Sequence, residues 1–323
     1  MTHMQTSRRT FLASAAAFAA FGAKAQIGSS VPTRMVIPFA AGGATDVLGR
    51  DLAKAMSATL GQTFVIENAG GGAGVPAMNK VTGAKADGST LLFAASGNIT
   101  AQPLLQKPRV DILTQVTPVG MIATAPHVLV VTGKMPFRTV AELVAYAKAH
   151  PGQLNFGSAG VGGLAHLGTE LFARAARIDI KHVPYRGASQ ATTDLAAGQI
   201  HAMFGTMPSF TSMAQTGAIR VIGLTAPSAA APLKGIPLIS NTVRGFGYKS
   251  WNAIFAPAGT PAPVVTRLYA AMKQASVDPG LAKRFEEQGV DIDLADAAEL
   301  TDMVRKETAV WDKVIREANI HVN

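Results

Sequence analysis

Short apolar runs alternate with patterns of helical spacing along most of the chain. Residues 34–39 (RMVIPF) form a strand-like run, whereas Leu48, Leu52 and Met56 recur at the spacing of one helix face. The same criteria predict further strands over residues 64–67, 90–95, 119–123, 127–132, 154–157, 181–185, 201–204, 218–224 and 252–256. They predict helices over residues 44–60, 75–82, 139–150, 164–176, 188–197 and 261–276, the last of which starts a helical C-terminal region. This alternation favours an α/β fold of open, mostly parallel sheets with helices on both faces.

Two local patterns support the helix predictions. Thr139 stands at an N-cap position with Glu142 three residues later, which is the pattern of a capping box. Near the C-terminus an apolar stripe of helical spacing comprises Leu300, Met303, Val304, Trp311, Val314, Ile315 and Ala318. The length of 323 residues suggests roughly two domains, at about 150 residues each, or one large domain.

Glycine-rich loops follow several of the predicted strands, where open α/β sheets bind their ligands. The first loop runs from Ala40 to Asp46 and opens a helix, so its backbone N–H groups could hold an anion. Thr45 or Asp46 could cap that helix, and Asp46 could pair with Arg50 one turn later. The alternative is a capped strand–helix turn without a ligand.

The second glycine loop, residues 68–74, formally matches a dinucleotide-binding motif. Pro76 interrupts the motif, and the next strand ends in Phe93-Ala94-Ala95 without the acidic residue that would hold a ribose. The sequence therefore predicts a flexible connection here.

Three later loops offer polar groups. Ser96, Gly97 and Asn98 follow a strand and read as an ordinary turn or a binding loop. The backbone amides over Ser158–Gly162 are candidates for an anion nest, while His166 in the following helix is a packing or capping residue more often than a base. Tyr185 could stack or donate, and Arg186 could either hold a carboxylate or pair with a local acid.

Composition removes several classes of function. The chain has no cysteine, which excludes disulfides, thiolate metal sites, iron–sulfur clusters, thiol nucleophiles and a cysteine-linked lipid anchor. The seven histidines show no spacing of metal ligands, and no catalytic set can be assembled from residue order. We therefore expect no metal and no cofactor.

Residues 1–25 read as a signal peptide. Arg8-Arg9 precede a short apolar stretch over residues 11–22 and an Ala-x-Ala cleavage site at Ala25, which favours a twin-arginine signal over an ordinary secretory one. Cleavage would remove Arg8, Arg9 and Lys24 and reduce the formal charge of +9 by three, to +6. The remaining basic residues are scattered, so nucleic acid is not an expected partner. No later stretch is apolar for the ~20 residues of a membrane span.

Ordered motifs across the chain resemble the substrate-binding proteins of tripartite tricarboxylate transporters, the Bug-type receptors. The matching segments are residues 36–46 (VIPFAAGGATD), 67–68 (EN), 86–92 (ADGSTLL), 157–160 (GSAG), 166–167 (HL), 183–187 (VPYRG), 194–198 (DLAAG) and 256–261 (APAGTP). The resemblance implies a type II periplasmic binding protein. In that fold two α/β lobes, here residues 27–126 plus 250–323 and residues 127–249, are joined by a hinge around a ligand cleft.

The resemblance also implies the site. Backbone amides of two facing loops would hold a ligand carboxylate, namely those of Gly42, Gly43, Ala44, Thr45 and Asp46 and those of Ser158, Ala159, Gly160, Val161 and Gly162. Ser96, Gly97, Asn98, His166, Tyr185 and Arg186 complete the expected site. A pocket that suits aromatic ligands could also be lined by aromatic and methionine side chains, although such residues near strand ends are more often core: Trp251, Phe204, Tyr185 and Met207.

The expected function is that of a monomeric periplasmic receptor that captures a small carboxylate (a di- or tricarboxylate, an amino acid or an aromatic acid). It would deliver the ligand to permease subunits in the membrane. Two alternatives stay open at this point: a ligand-sensing module for a membrane signalling partner, and a periplasmic enzyme with His166 or Asp46 as base.

Overall fold

The computed structural model describes residues 32–71, 74–106 and 108–321. The proposed signal peptide and part of the second glycine loop lie outside the described residues. The strands are β1 (Thr33–Ile37), β2 (Phe64–Asn68), β3 (Thr90–Ala95), β4 (Val116–Pro126), β5 (Val128–Thr132), β6 (Asn155–Ser158), β7 (Lys181–Pro184), β8 (Ala202–Gly205), β9 (Ile219–Leu224), β10 (Lys249–Pro257) and β11 (Asp291–Ala295). The helices are α1 (Ala44–Leu60), α2 (Val75–Thr82), α3 (Ser96–Thr100), α4 (Gln102–Leu105), α5 (Val140–Ala149), α6 (Leu164–Ala176), α7 (Ala188–Ala197), α8 (Thr211–Gln215), α9 (Ala262–Ser276), α10 (Pro279–Glu287) and α11 (Ala297–Glu317).

The strands form two sheets. The first has the order β11-β4-β10-β3-β1-β2, and the second has the order β7-β6-β8-β5-β9. Strand β1 runs parallel to β2 and β3, whereas β10 is antiparallel to β3 and β4, and β11 is antiparallel to β4. In the second sheet β6 is parallel to β7 and β8, and β5 is antiparallel to β8 and β9.

The expectation of mostly parallel sheets is therefore wrong. Strand β4 leaves the first sheet toward the second, and β10 comes back from the second sheet to lie beside it. A strand that returns along the path of a departing strand must run in the opposite direction. Mixed sheets follow from these two passages, not from the local strand–helix pattern.

Helices cover both faces of the first sheet, as expected. Met35, Ile37 and Phe93 pack with α1 and α9 on one face, and Val36 and Leu92 belong to the core on the other face. The capping box of Thr139 and Glu142 is confirmed at the start of α5. Helix α11 buries Leu300, Val304, Trp311, Val314 and Ile315 of the predicted stripe.

Three predictions need correction. Ser96, Gly97 and Asn98 are the first three residues of the short helix α3 and do not form a loop. Phe204 and Trp251 are 0 % and 2 % exposed and belong to the core, so they do not line an open pocket. Strand β11 has no counterpart in the sequence prediction, which has a helical region from residue 261 toward the C-terminus.

The chain passes between the sheets at two adjacent places. One passage is His127, between β4 and β5, and the other ends at Tyr248, directly before β10. The His127 amide donates to Thr225 Oγ1 at 2.9 Å, and the Tyr248 amide donates to the Thr225 carbonyl at 3.2 Å. The Tyr248 hydroxyl lies 3.1 Å from His127 Nδ1. These contacts tie the two passages into one narrow connection.

Among the described residues, no helix is long and apolar enough to cross a membrane.

Candidate functional site

The carboxyl ends of strands from both sheets lie beside this narrow connection. Strand β3 ends at Ala95, next to the part of β10 that follows the passage. Strand β8 ends at Gly205, which pairs with Val128, the first residue of β5. The loops that follow the parallel strands of the two sheets therefore start from edges that face each other, where α/β sheets bind ligands.

The first loop is built around a buried carboxylate. Asp46 is 1 % exposed, and it accepts hydrogen bonds from the Gly42 amide at 2.8 Å, Arg50 Nε at 2.9 Å and Asn68 Nδ2 at 2.8 Å. Burial raises the pKa of this carboxyl, but the three hydrogen bonds outweigh burial and hold its pKa below the ordinary value. The predicted Asp46–Arg50 pair is confirmed. Since both carboxylate oxygens are occupied, Asp46 shapes the loop.

The amides at the start of α1 remain free. Gly43 is the N-cap in an extended conformation without a side-chain cap, so neither Thr45 nor Asp46 caps in the predicted way. The first helical bond runs from the Val47 amide to the Gly43 carbonyl, which leaves the amides of Ala44, Thr45 and Asp46 without a partner among the described residues. Gly42 adopts φ +82°, which turns the chain so that Gly42, Gly43 and Ala44 are exposed.

The fourth loop repeats this construction in the second sheet. Gly162 adopts φ +74°, and Gly163 is an extended N-cap. The Gly162 amide donates to Nδ1 of His166 at 3.0 Å, as the Gly42 amide donates to Asp46. In both loops the side chain at the third helical position therefore fixes the residue before the N-cap. The first amides of α6 are free within the described part of the chain, as in α1.

A serine and two histidines support the fourth loop from below. Ser158 is fully buried, its hydroxyl donates to the Gly160 carbonyl at 2.9 Å, and its oxygen lies 2.7 Å from His182 Nε2. The rings of His166 and His182 stack with centroids 3.7 Å apart. Burial, followed by the neighbouring His166, lowers the pKa of His182 to about 4, so His182 is neutral near pH 7.

His182 is a residue that sequence reasoning missed. It lies in β7 opposite Phe156 of β6, and it reaches Ser158 only because the two strands pair in parallel. Its position 24 residues from Ser158 gives no local signal. Asn68, which binds Asp46, belonged to the second glycine loop and was likewise not selected.

The fifth loop leaves one cation free. The Tyr185 hydroxyl donates to Asp194 at 2.8 Å, and burial together with this carboxylate raises the pKa of Tyr185 to about 12. Arg186 is exposed and forms no ion pair with any residue that the structure describes. The alternative of a local salt bridge for Arg186 is therefore wrong. The Tyr185 amide donates to the Ser158 carbonyl at 2.9 Å, which sets this loop beside the fourth loop.

Helix α3 of the first sheet approaches the fourth loop directly. A Cβ atom on Gly97 would lie 3.6 Å from the Leu164 Cβ and 3.9 Å from the Leu164 amide nitrogen. Gln102 Nε2, which sequence reasoning missed, donates to the Gly162 carbonyl at 3.0 Å. The structure thus brings Gly97 and Gln102 to the fourth loop and the start of α6, whereas the Asn98 side chain lies near Gly74. No hydrogen bond among the described residues joins the first loop to the fourth.

We next consider metal binding and nucleophilic catalysis. No cluster of three acidic or histidine side chains within the described ranges could hold a metal ion. Ser158 and His166 are buried, the Ser158 oxygen lies against His182 Nε2, and His166 Nδ1 accepts from the Gly162 amide. This cluster therefore does not resemble an accessible nucleophile with its base. The candidate site therefore consists mainly of exposed backbone donors on the two glycine loops.

Known proteins share this chain's sequence and fold. The model of a protein family described as "tripartite tricarboxylate transporter family receptor" matches residues 48–320 of this chain. BugT of Bordetella pertussis is 30 % identical, with 88 % of this chain and 89 % of that protein covered. The structure of R. palustris Rpa4515 with adipate has a TM-score of 0.81 and 32 % identity, and covers 90 % of this chain and 98 % of its own. MatC from Rhodopseudomonas palustris with bound malate has a TM-score of 0.74 and 27 % identity, and covers 88 % and 98 %.

These matches confirm the expected fold class and the expected family resemblance. They span nearly all of the described chain, and they join it to periplasmic solute-binding receptors instead of enzymes. The chain therefore belongs to the tripartite tricarboxylate transporter receptor family.

Proposed function

We propose that this protein is a periplasmic receptor that captures a small carboxylate and delivers it to the permease subunits of a tripartite transporter. The observation that carries the proposal is the pair of matching helix N-termini, at Gly43 and at Gly163, on edges that face each other. Free N–H groups at a helix N-terminus attract an anion. A ligand carboxylate between them would contact both sheets at once.

Contacts with both sheets would also drive closure. A ligand favours whichever conformation gives it more contacts, and a narrow connection between two bodies permits hinge motion. In this proposal the lobes comprise residues 27–126 plus 250–323 and residues 127–249, and the passages at His127 and Tyr248 act as the hinge. The free Arg186 would add long-range attraction for the anion.

Several residues argue for binding without chemistry. Asp46 and His166, the two candidate bases, use their acceptor atoms to hold glycine amides. Export through a cleaved twin-arginine signal in residues 1–25 and a monomeric, unanchored protein belong to the same proposal. The structures of relatives with adipate and malate support a carboxylate ligand.

Thermal-shift and calorimetric titration with malate, adipate and a panel of mono-, di- and tricarboxylates test the proposal. A ligand at 100 times its Kd should stabilise the folded protein by about 2.7 kcal/mol, which corresponds to about 4 °C in Tm for a chain of this length. An absence of any shift across the panel would exclude a carboxylate receptor. NMR spectra of the ligand would show whether the protein converts a bound acid into another compound, and such a conversion would contradict the receptor function.

A further inference from the structure

Unpaired buried polar atoms concentrate at one place in the fold. Among the described residues, the buried side-chain atoms without a hydrogen-bond partner are Ser96 Oγ, Asn98 Oδ1, Asn252 Nδ2 and Arg284 Nε. Arg284 is nevertheless in an ion pair with Asp51. The other three lie at the carboxyl end of β3 or directly beside it, which is the edge that faces the second sheet.

Asn252 lies on the β10 strand where it passes the start of α3. It pairs with Ala95 of β3 on one side and with Ala123 of β4 on the other, and it is 7 % exposed. Side chains alternate along a strand, and Ile254 and Ala256 belong to the core that α1 covers. The Asn252 side chain therefore lies on the face of α1, at the same edge as the N-terminus of α1.

Packing does not explain an asparagine at this position. Its strand partners Ala95 and Ala123 offer no hydrogen-bonding side chain, and an apolar residue of similar size would fill the space without an unpaired amide. A buried donor that lacks a partner costs stability unless another state of the protein satisfies it. Ser96, which directly follows Ala95 and is fully buried, presents the same problem with its hydroxyl. Asn98 differs because its amide lies toward Gly74.

We propose that Asn252 and Ser96 form a ligand-binding pair, in which Asn252 Nδ2 and the Ser96 hydroxyl donate to a carboxylate oxygen of the ligand. This inference rests on the proposed receptor function. Both donors lie at the sheet edge where α1 presents its free amides, so a carboxylate bound at that edge would have side-chain donors as well as backbone donors. The pair adds side-chain selection for a carboxylate to a site otherwise made of backbone.

Two substitutions separate this role from a structural one. Asn252→Leu and Ser96→Ala each remove an unpaired donor, so the Tm of the unliganded protein should stay equal or rise. The affinity for malate or adipate, measured by calorimetry, should fall by about 10- to 100-fold for Asn252→Leu, as expected for a hydrogen bond to a charged group. Asn241→Leu, on an exposed residue, is the matched control and should retain wild-type affinity.

Asn252→Asp supplies a second variant that keeps the shape of the side chain. Its carboxylate would repel the ligand carboxylate, so its affinity should fall at least as far. Wild-type affinity in Asn252→Leu and Ser96→Ala, or a lower Tm with unchanged affinity, would overturn the pair while leaving the receptor function intact. If the wild-type protein binds no acid of the panel, the receptor function and the pair both fail.

Discussion

Glu307 is a buried carboxyl that should make the stability of this protein depend on pH near neutrality. It lies on α11, where Oε2 accepts from Trp251 Nε1 at 2.5 Å and Oε1 accepts from Trp311 Nε1 at 3.1 Å. Burial raises its pKa to about 7, although the two indole hydrogen bonds act in the opposite direction. The Trp311 ring also contacts Tyr248, at a centroid distance of 5.7 Å, and so joins this carboxyl to the passage between the sheets.

The magnitude follows from linkage. The difference between the ordinary pKa of 4.5 and about 7 corresponds to about 3 kcal/mol of folding free energy. The folded protein holds the proton more tightly than the unfolded chain does. This contribution is therefore complete below pH 4.5, decreases as the pH rises toward 7, and is absent above pH 7. Glu307→Gln removes the titration but keeps one oxygen acceptor.

Urea unfolding of the wild type and of Glu307→Gln at pH 5 and pH 8 measures the effect. The stability of Glu307→Gln relative to the wild type should increase between pH 5 and pH 8 by up to about 3 kcal/mol. His127 and His182, with pKa values lowered to about 4 by burial, contribute the opposite slope, but equally in both proteins. Asp302→Asn, with an Asp302 side chain 66 % exposed on the same helix, is the control. The same relative stability at both pH values would refute the reasoning.

Three further substitutions probe the site and the connection between the sheets. Gly43→Val should abolish carboxylate binding in calorimetry, because a bulky side chain would block the approach of the ligand to the backbone. The variant should still fold, since Gly43 has a φ of −75° and a Cβ atom there would lie 3.5 Å from the Ala40 carbonyl oxygen. Ala262→Val, at an exposed helix start, should bind normally. Arg186→Gln should weaken binding by up to about tenfold at low salt and less at high salt, and a salt-independent loss would contradict attraction by a screened charge. Urea unfolding should show Gly168→Ala to be less stable by about 1–3 kcal/mol, because its Cβ would overlap both the hydroxyl and the ring carbons of Tyr248; an unchanged free energy of unfolding would contradict this overlap.

Local patterns allowed the sequence to predict features that depend on neighbours a few residues apart. Helix α1 begins and ends at the predicted residues because glycines flank it on both sides. The capping box at Thr139 and the Asp46–Arg50 pair were predicted for the same reason, since each joins residues within one helical turn. The glycine loops after β1 and β6 could likewise be predicted as places where backbone amides are exposed, and their ligand contacts stay a prediction.

The functions of individual side chains in these loops depend on contacts across the fold. The sequence predicts a ligand or capping role for Asp46, but Asn68 from a separate strand donates to one of its carboxylate oxygens. His182 reaches Ser158 only through the pairing of β6 with β7. Such contacts join residues that are distant in sequence, so no pattern along the chain encodes them.

The sequence by itself determined most of the longer helices and strands, the positions of the anion-attracting loops and the family. The tertiary structure decided the strand directions, because β10 returns between β3 and β4 along the path by which β4 departs. It also decided that Asn252 lies unpaired beside Ser96, since β10 and β3 are separated by more than 150 residues and meet only in the folded sheet. Local sequence encodes hydrogen bonds within a turn, whereas the pairing of distant strands depends on the packing of the whole chain.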